Sequence, residues 1–248
     1  MKKLIKAVAA CSVVLAMLPG TASAAKFVVG YANMADSDVF PMAVKTAFGE
    51  AAKANPDVNV LYADANIDIS KQLDQIDNFI AQKVNTIVIV PVDYEGIVPG
   101  MYHTTERLQG FTDACLSKRP DVKLLSSLSG NYSRAEGMKV TEDWVQSFKQ
   151  FDAIIAANDQ MALGALQALK TSNRLKGVMI SGIDGTGDAL KAIKDGEMSQ
   201  SIFQNARGQA EGAYAVVKTI MSGQPAPDEL LIPFESIVAE NVDKYMKK

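Results

Sequence analysis

One pattern constrains this chain more than any other. From residue 26 to residue 238, short apolar runs rich in β-branched residues alternate with longer amphipathic stretches. Period-two runs followed by stretches of period 3.6 call for parallel strands joined by crossover helices. The spacing predicts strands at 26–31, 58–63, 86–90, 122–127, 153–157, 177–182 and 199–203, with a final strand pair inside 230–238. Between them it predicts helices at 41–54, 70–82, 104–117, 134–148, 161–170, 187–194 and 208–221. Alternation of this kind produces doubly wound α/β sheets with helices on both faces. At 248 residues the chain has material for one large domain or two moderate ones.

The first residues stand outside this pattern. Lys2, Lys3 and Lys6 precede an apolar run over residues 7–18, followed by Pro19-Gly20 and the small-residue series Ala22-Ser23-Ala24. This is the layout of a secretory signal peptide cleaved after Ala24, and the run is too short for a permanent membrane span. Cleavage removes three Lys and no acid, taking the formal charge from −3 to −6. A surface of that sign cannot neutralise a phosphate backbone, so no nucleic-acid partner is expected. Cys115 and His103 are the only Cys and His beyond the leader. They give no internal disulfide, no metal site and no activated nucleophile.

In open parallel sheets ligands bind outside the carboxyl ends of the strands. Those positions hold Asn33, Asp38 and Phe40, then Asp64 and Asn66, then Asp93, Asn131, Tyr132, Asn158, Asp159, Asp184 and Gln204. Taken singly, each Asn or Asp is as readily a helix cap or turn former. Recurring along one edge, they form a set that grips vicinal hydroxyls by paired hydrogen bonds, with aromatic faces against the C–H side of a sugar ring. No nucleophile elbow, phosphate-binding loop or dinucleotide fingerprint is present, so no cofactor and no enzymatic activity are expected. The glycines of Gly182-Ile183-Asp184-Gly185-Thr186-Gly187 lack the fingerprint spacing.

The series Ile154-Ile155-Ala156-Ala157-Asn158-Asp159-Gln160-Met161-Ala162-Leu163-Gly164-Ala165, then Ile183-Asp184-Gly185-Thr186, then Ala192-Ile193-Lys194-Asp195-Gly196 ahead of Gln204, carries a family resemblance. Over residues 26–240 the chain resembles the ribose-binding type of periplasmic sugar-binding protein. The resemblance implies two doubly wound lobes of the type I periplasmic binding protein kind, over 25–98 plus 205–232 and over 101–204 plus 233–248. It implies a monomeric receptor in the periplasm that closes on a monosaccharide or cyclitol, presents it to the membrane permease of an ABC transporter, and serves a chemoreceptor in some settings. Carried over by position, Asp38, Phe40, Arg107, Tyr132, Asn158, Asp184 and Gln204 are the implied ligand-binding residues, while Asp159 caps the following helix. One departure stands out. Around residues 95–101 the family pattern loses part of the first lobe, one hinge crossing, the start of the second lobe and an Asp-Arg ligand pair. The loss leaves the strand at 86–90 as an expected exposed apolar edge. Two alternatives stay open: a truncated relative without a ligand, and an enzyme using Asp184 with Asp64 or Asp93 as acid and base.

Overall fold

The structure, a computed structural model, describes residues 26–92, 107 and 109–246. Asp93 and His103 lie outside the described residues. Among those residues the elements run β1 (Phe27–Asn33), α1 (Val39–Lys53), β2 (Val58–Asp64), α2 (Ile69–Ala81), β3 (Thr86–Ile89), α3 (Arg134–Ser147), β4 (Ala153–Ile155), α4 (Asp159–Thr171), β5 (Met179–Asp184), α5 (Gly187–Lys194), β6 (Gln200–Phe203), α6 (Ala206–Met221) and β7 (Glu235–Ile237). They build two sheets, β2-β1-β3 and β4-β5-β6-β7, parallel throughout except for β7 against β6.

Helix starts follow local chemistry. Asp38, Asp68 and Asn205 accept backbone N–H groups in the first turns of α1, α2 and α6. Ser133 does the same for Glu136, and the Ser-x-x-Glu spacing is that of a capping box. In α1 the buried Val44, Ala47, Phe48 and Ala52 recur at helical spacing and pack on Val29 and Tyr31 of β1. That core also takes Ala210, Tyr214 and Val217 of α6, so the chain leaves the second sheet after β6 to complete the first core. The second core is built by α4, α5, β4, β5 and Ile237 of β7. At the end of the first sheet the buried Gln72 donates to Val90 O at 3.0 Å and accepts from Val92 N at 2.8 Å. It fixes where the chain emerges from β3.

Three expectations fail. Residues 122–127 form no strand, because no strand stands beside them among the described residues to pair with. Only β7 forms within 230–238, since Leu230 and Leu231 remain outside the ladder at 53% and 76% exposure. Among the described residues the β3 strand stands at the edge of its sheet, as expected, and is half-buried along its length. Of the helix expected at 104–117, residues 104–106 and 108 lie outside the described residues, and Thr112–Leu116 form a π-type turn instead of α-helix.

Candidate functional site

The carboxyl ends of both sheets open on one cleft of about 220 Å³. Its lining includes Asp38, Phe40, Arg107, Tyr132, Asn158, Asp184 and Gln204. The volume lies below the range of roughly 300–1,000 Å³ for drug-sized ligands and suits a single small ring.

Each side chain arrives by a different route. Asp38 and Phe40 sit at the start of α1, and Asp38 accepts from Phe40 N at 3.2 Å while burial pushes its carboxyl up. Tyr132 is held with a left-handed backbone (φ 55°), and its carbonyl accepts from Asn158 Nδ2 at 3.2 Å. Asn158 Oδ1 accepts from Met161 N at 2.9 Å, which makes Asn158 the cap of α4. One N–H and one lone pair of its amide remain for a ligand. Arg107 donates Nη1–H to Ala157 O at 2.8 Å, and among the described residues its other four guanidinium N–H groups make no hydrogen bond.

Asp184 ends β5 with φ 126°, a conformation rare for a side-chain-bearing residue and typical of strain held at a site. Its Oδ1 accepts from Gln204 Nε2 at 2.6 Å. Burial, and next the neighbouring charge of Asp159, push its carboxyl up to about 7 against the pull of Gln204 and Arg107.

Asp159 does not cap α4. It is fully buried beneath the cleft, where Oδ2 accepts from Thr186 N at 2.7 Å and Thr186 Oγ1 at 3.1 Å, and Oδ1 accepts from Ser201 Oγ at 2.6 Å. This network braces the turn that follows Asp184. Gly182 makes room for it, since a Cβ there would stand 2.3 Å from Asp159 Oδ1. Asn33 donates to Asp36, and Asp64 accepts from Asp36 N and Asn66 N. These bonds tie the first loops together. Asp64 does not line the cleft, so the pairing of Asp184 with Asp64 that an enzyme would use is not assembled.

The cleft also takes walls that strand-end reasoning passes over: Met34, Val44, Phe48, Gln209 and the run from Val88 to Pro91. Met34 directly follows β1 and was open to the same rule. Val44 and Phe48 read in sequence as an ordinary core stripe. Among the described residues no group of His, Cys, Asp and Glu could hold a metal, and no helix is long and apolar enough to cross a membrane.

The family described as periplasmic binding protein domain matches residues 29–103 and, in a second stretch, 98–225. The putative rhizopine-binding protein of Rhizobium meliloti is 27% identical over 318 positions that span the whole of both chains. With 248 residues here, that relative carries positions this chain lacks. The ribose import binding protein of Haemophilus influenzae is 42% identical over 127 residues, covering 51% of this chain and 41% of that protein. Among solved structures, an ABC transporter solute binding protein from Bacillus halodurans C-125 with bound myo-inositol superposes with TM-score 0.81 at 24% identity, over 92% of this chain and 99% of that one. Two sheets with parallel β-α-β units, a cleft across their carboxyl ends and a family match over most of the described residues lead to one conclusion: the chain belongs to the periplasmic binding protein family.

Proposed function

We propose that this chain is an exported solute-binding protein that captures a monosaccharide or cyclitol in the cleft and hands it to an ABC-type importer. The observation that carries this reading is the convergence of Asp38, Arg107, Tyr132, Asn158, Asp184 and Gln204 on one cavity of single-ring size. Carboxylate, guanidinium and amide groups that retain free lone pairs and N–H groups suit a ring bearing several hydroxyls. Phe40 and Tyr132 offer apolar faces to its C–H side. The reading also places a cleaved leader at 1–24, one lobe over 25–98 plus 205–232 and the other over 101–204 plus 233–248. It puts the protein in the periplasm, where a permease and, in some settings, a chemoreceptor take the loaded form. The relatives named for rhizopine and ribose and the neighbour holding myo-inositol support this ligand class. Binding without turnover is the proposed role: the relatives named as binding proteins support it, and Asp64 does not line the cleft beside Asp184.

Isothermal titration with pentoses, hexoses and inositols tests the reading. At least one is expected to bind with one-to-one stoichiometry, and Asp184→Asn is expected to weaken it tenfold or more, the loss of roughly one charged hydrogen bond of about 1.5–3 kcal/mol. No heat from any member of the panel would overturn the reading.

A further inference from the structure

The two walls of the cleft differ in chemistry. Asn158, Asp184 and Gln204 bring polar groups from the second sheet, and Arg107, bonded to Ala157 O, stands with them. Tyr132 joins the same wall, since its carbonyl accepts from Asn158. Among the described residues, the first core's wall has polar side chains only in Asp38, Gln209 and Tyr31. Tyr31 offers a ligand nothing polar: its hydroxyl is shut off from water, and the groups acting on it electrostatically, Tyr62 and Asp36, do not line the cleft.

The rest of that wall is the first core itself. Phe40, Val44, Phe48, Val88 and Val90 belong to the core and line the cavity at once. Val44 and Phe48 lie one turn apart on α1, while Val88 and Val90 share one side of their strand by alternation. Phe48 is fully buried and Val44 is 7% exposed, so core packing holds the wall in place. The Val90 backbone is spent as well, its N–H on Ala32 O at 2.9 Å and its carbonyl on Gln72 Nε2 at 3.0 Å.

A ring with a polar substituent on every carbon suits the second wall and not the first. Its C–H face is already served by Phe40 and Tyr132. A hydroxyl pressed on Val44 or Val88 gives up its water without gaining a partner, whereas a methyl group there gains from leaving water. An exocyclic methyl also reaches further from the ring than a bare ring C–H does. We propose that the cleft selects a 6-deoxyhexose, with its hydroxyls on the second wall and its methyl group against Val44, Val88 and Val90. This selection rests on the cleft being the sugar site proposed above, and it narrows the sugar.

Isothermal titration with sugar pairs that differ only at that carbon tests it: L-fucose against L-galactose, L-rhamnose against L-mannose, and 6-deoxy-D-glucose against D-glucose. In the pair that binds most tightly, the deoxy member is expected to bind about tenfold more tightly or better. Val88→Thr keeps the branched shape and adds a hydroxyl to the wall, and it is expected to cut that ratio by about fivefold or more. Val44→Ala withdraws apolar surface without adding a polar group, and is expected to weaken the deoxy member more than its parent. Asp184→Asn, on the opposite wall, is expected to weaken both members alike and leave the ratio unchanged. Melting curves check that each variant is folded. If the hydroxylated member of the tightest pair binds equally or better, the proposal falls and the sugar-binding reading stands. A ratio that neither folded Val variant moves also overturns it. No heat from any member of any pair overturns both.

Discussion

Asp184 is where the site and the fold make opposite demands on one residue. A carboxyl that is buried, beside Asp159, and held at φ 126° costs the folded state free energy, and the Gln204 donor only partly offsets it. The sign of the pH dependence follows. With a folded pKa of about 7 against an unfolded value near 3.9, the native chain binds this proton more tightly than the unfolded one. The resulting stability is fully present below about pH 4 and is lost as pH rises through about 7. Asp184→Asn keeps an oxygen to accept from Gln204 and carries no charge, so its melting temperature is expected to gain on the wild type progressively from pH 4 to pH 8. Ligand affinity is expected to move the other way. The ionised carboxyl accepts hydroxyl protons, so wild-type binding should weaken between pH 8 and pH 6, while the Asn variant binds weakly and without that slope. Melting curves and titrations across this range check both, and a melting difference that stays flat with pH would contradict the assignment.

At the scale of elements, α3 and α4 owe their close approach to Gly137 and Gly164. A Cβ on Gly164 would stand 2.1 Å from Arg134 O and 2.7 Å from Met138 N, and one on Gly137 would meet Met161 O at 2.7 Å. Ala in place of Gly gains about 1 kcal/mol of helix propensity, whereas overpacking of this kind costs about 1–3 kcal/mol or more, and here the obstacle is backbone. Gly164→Ala is therefore expected to lower stability by about 2 kcal/mol in denaturant titrations. Gly187→Ala, with nothing within 4 Å of its Cβ, should be neutral. Helices of this kind were legible in the sequence because their own stripes and caps declare them, Ser133 with Glu136 most plainly. Residues 122–127 misled because an apolar run looks the same whether or not a neighbouring strand exists to receive it. Asp159 misled in a similar way: Asn and Asp both cap helices, and only the tertiary position of Thr186 and Ser201 tells the cap at Asn158 from the buried brace at Asp159. Most of the polar half of the cleft was legible because topology puts strand ends together, while Arg107 came from the family resemblance alone. The apolar half was hidden, since Val44 and Phe48 lie in a core stripe that also happens to border the cavity.

At the scale of the whole molecule, the two sheets among the described residues share no strand and the two apolar cores share no residue. Asp38 and Phe40 stand at the carboxyl end of the first sheet, and Asn158, Asp184 and Gln204 at that of the second. The chain itself passes from one core to the other just after Gln204, whose amide already holds Asp184. A ligand in the cleft would add bonds between the two halves. Without it, the cores are expected to unfold as overlapping but separate events, so that the calorimetric enthalpy exceeds the van't Hoff value. With the best ligand of the sugar and cyclitol panel at a hundred times its dissociation constant, linkage adds about 2.7 kcal/mol. At roughly 2–4 °C per kcal/mol for a chain of this size, the earlier transition should climb by about 5–10 °C and merge with the later one. Scanning calorimetry with and without that ligand reads the result. A free chain that already melts in one two-state step, moved in position but not in shape by the ligand, would mean that the two cores are coupled through the chain and not through the cleft.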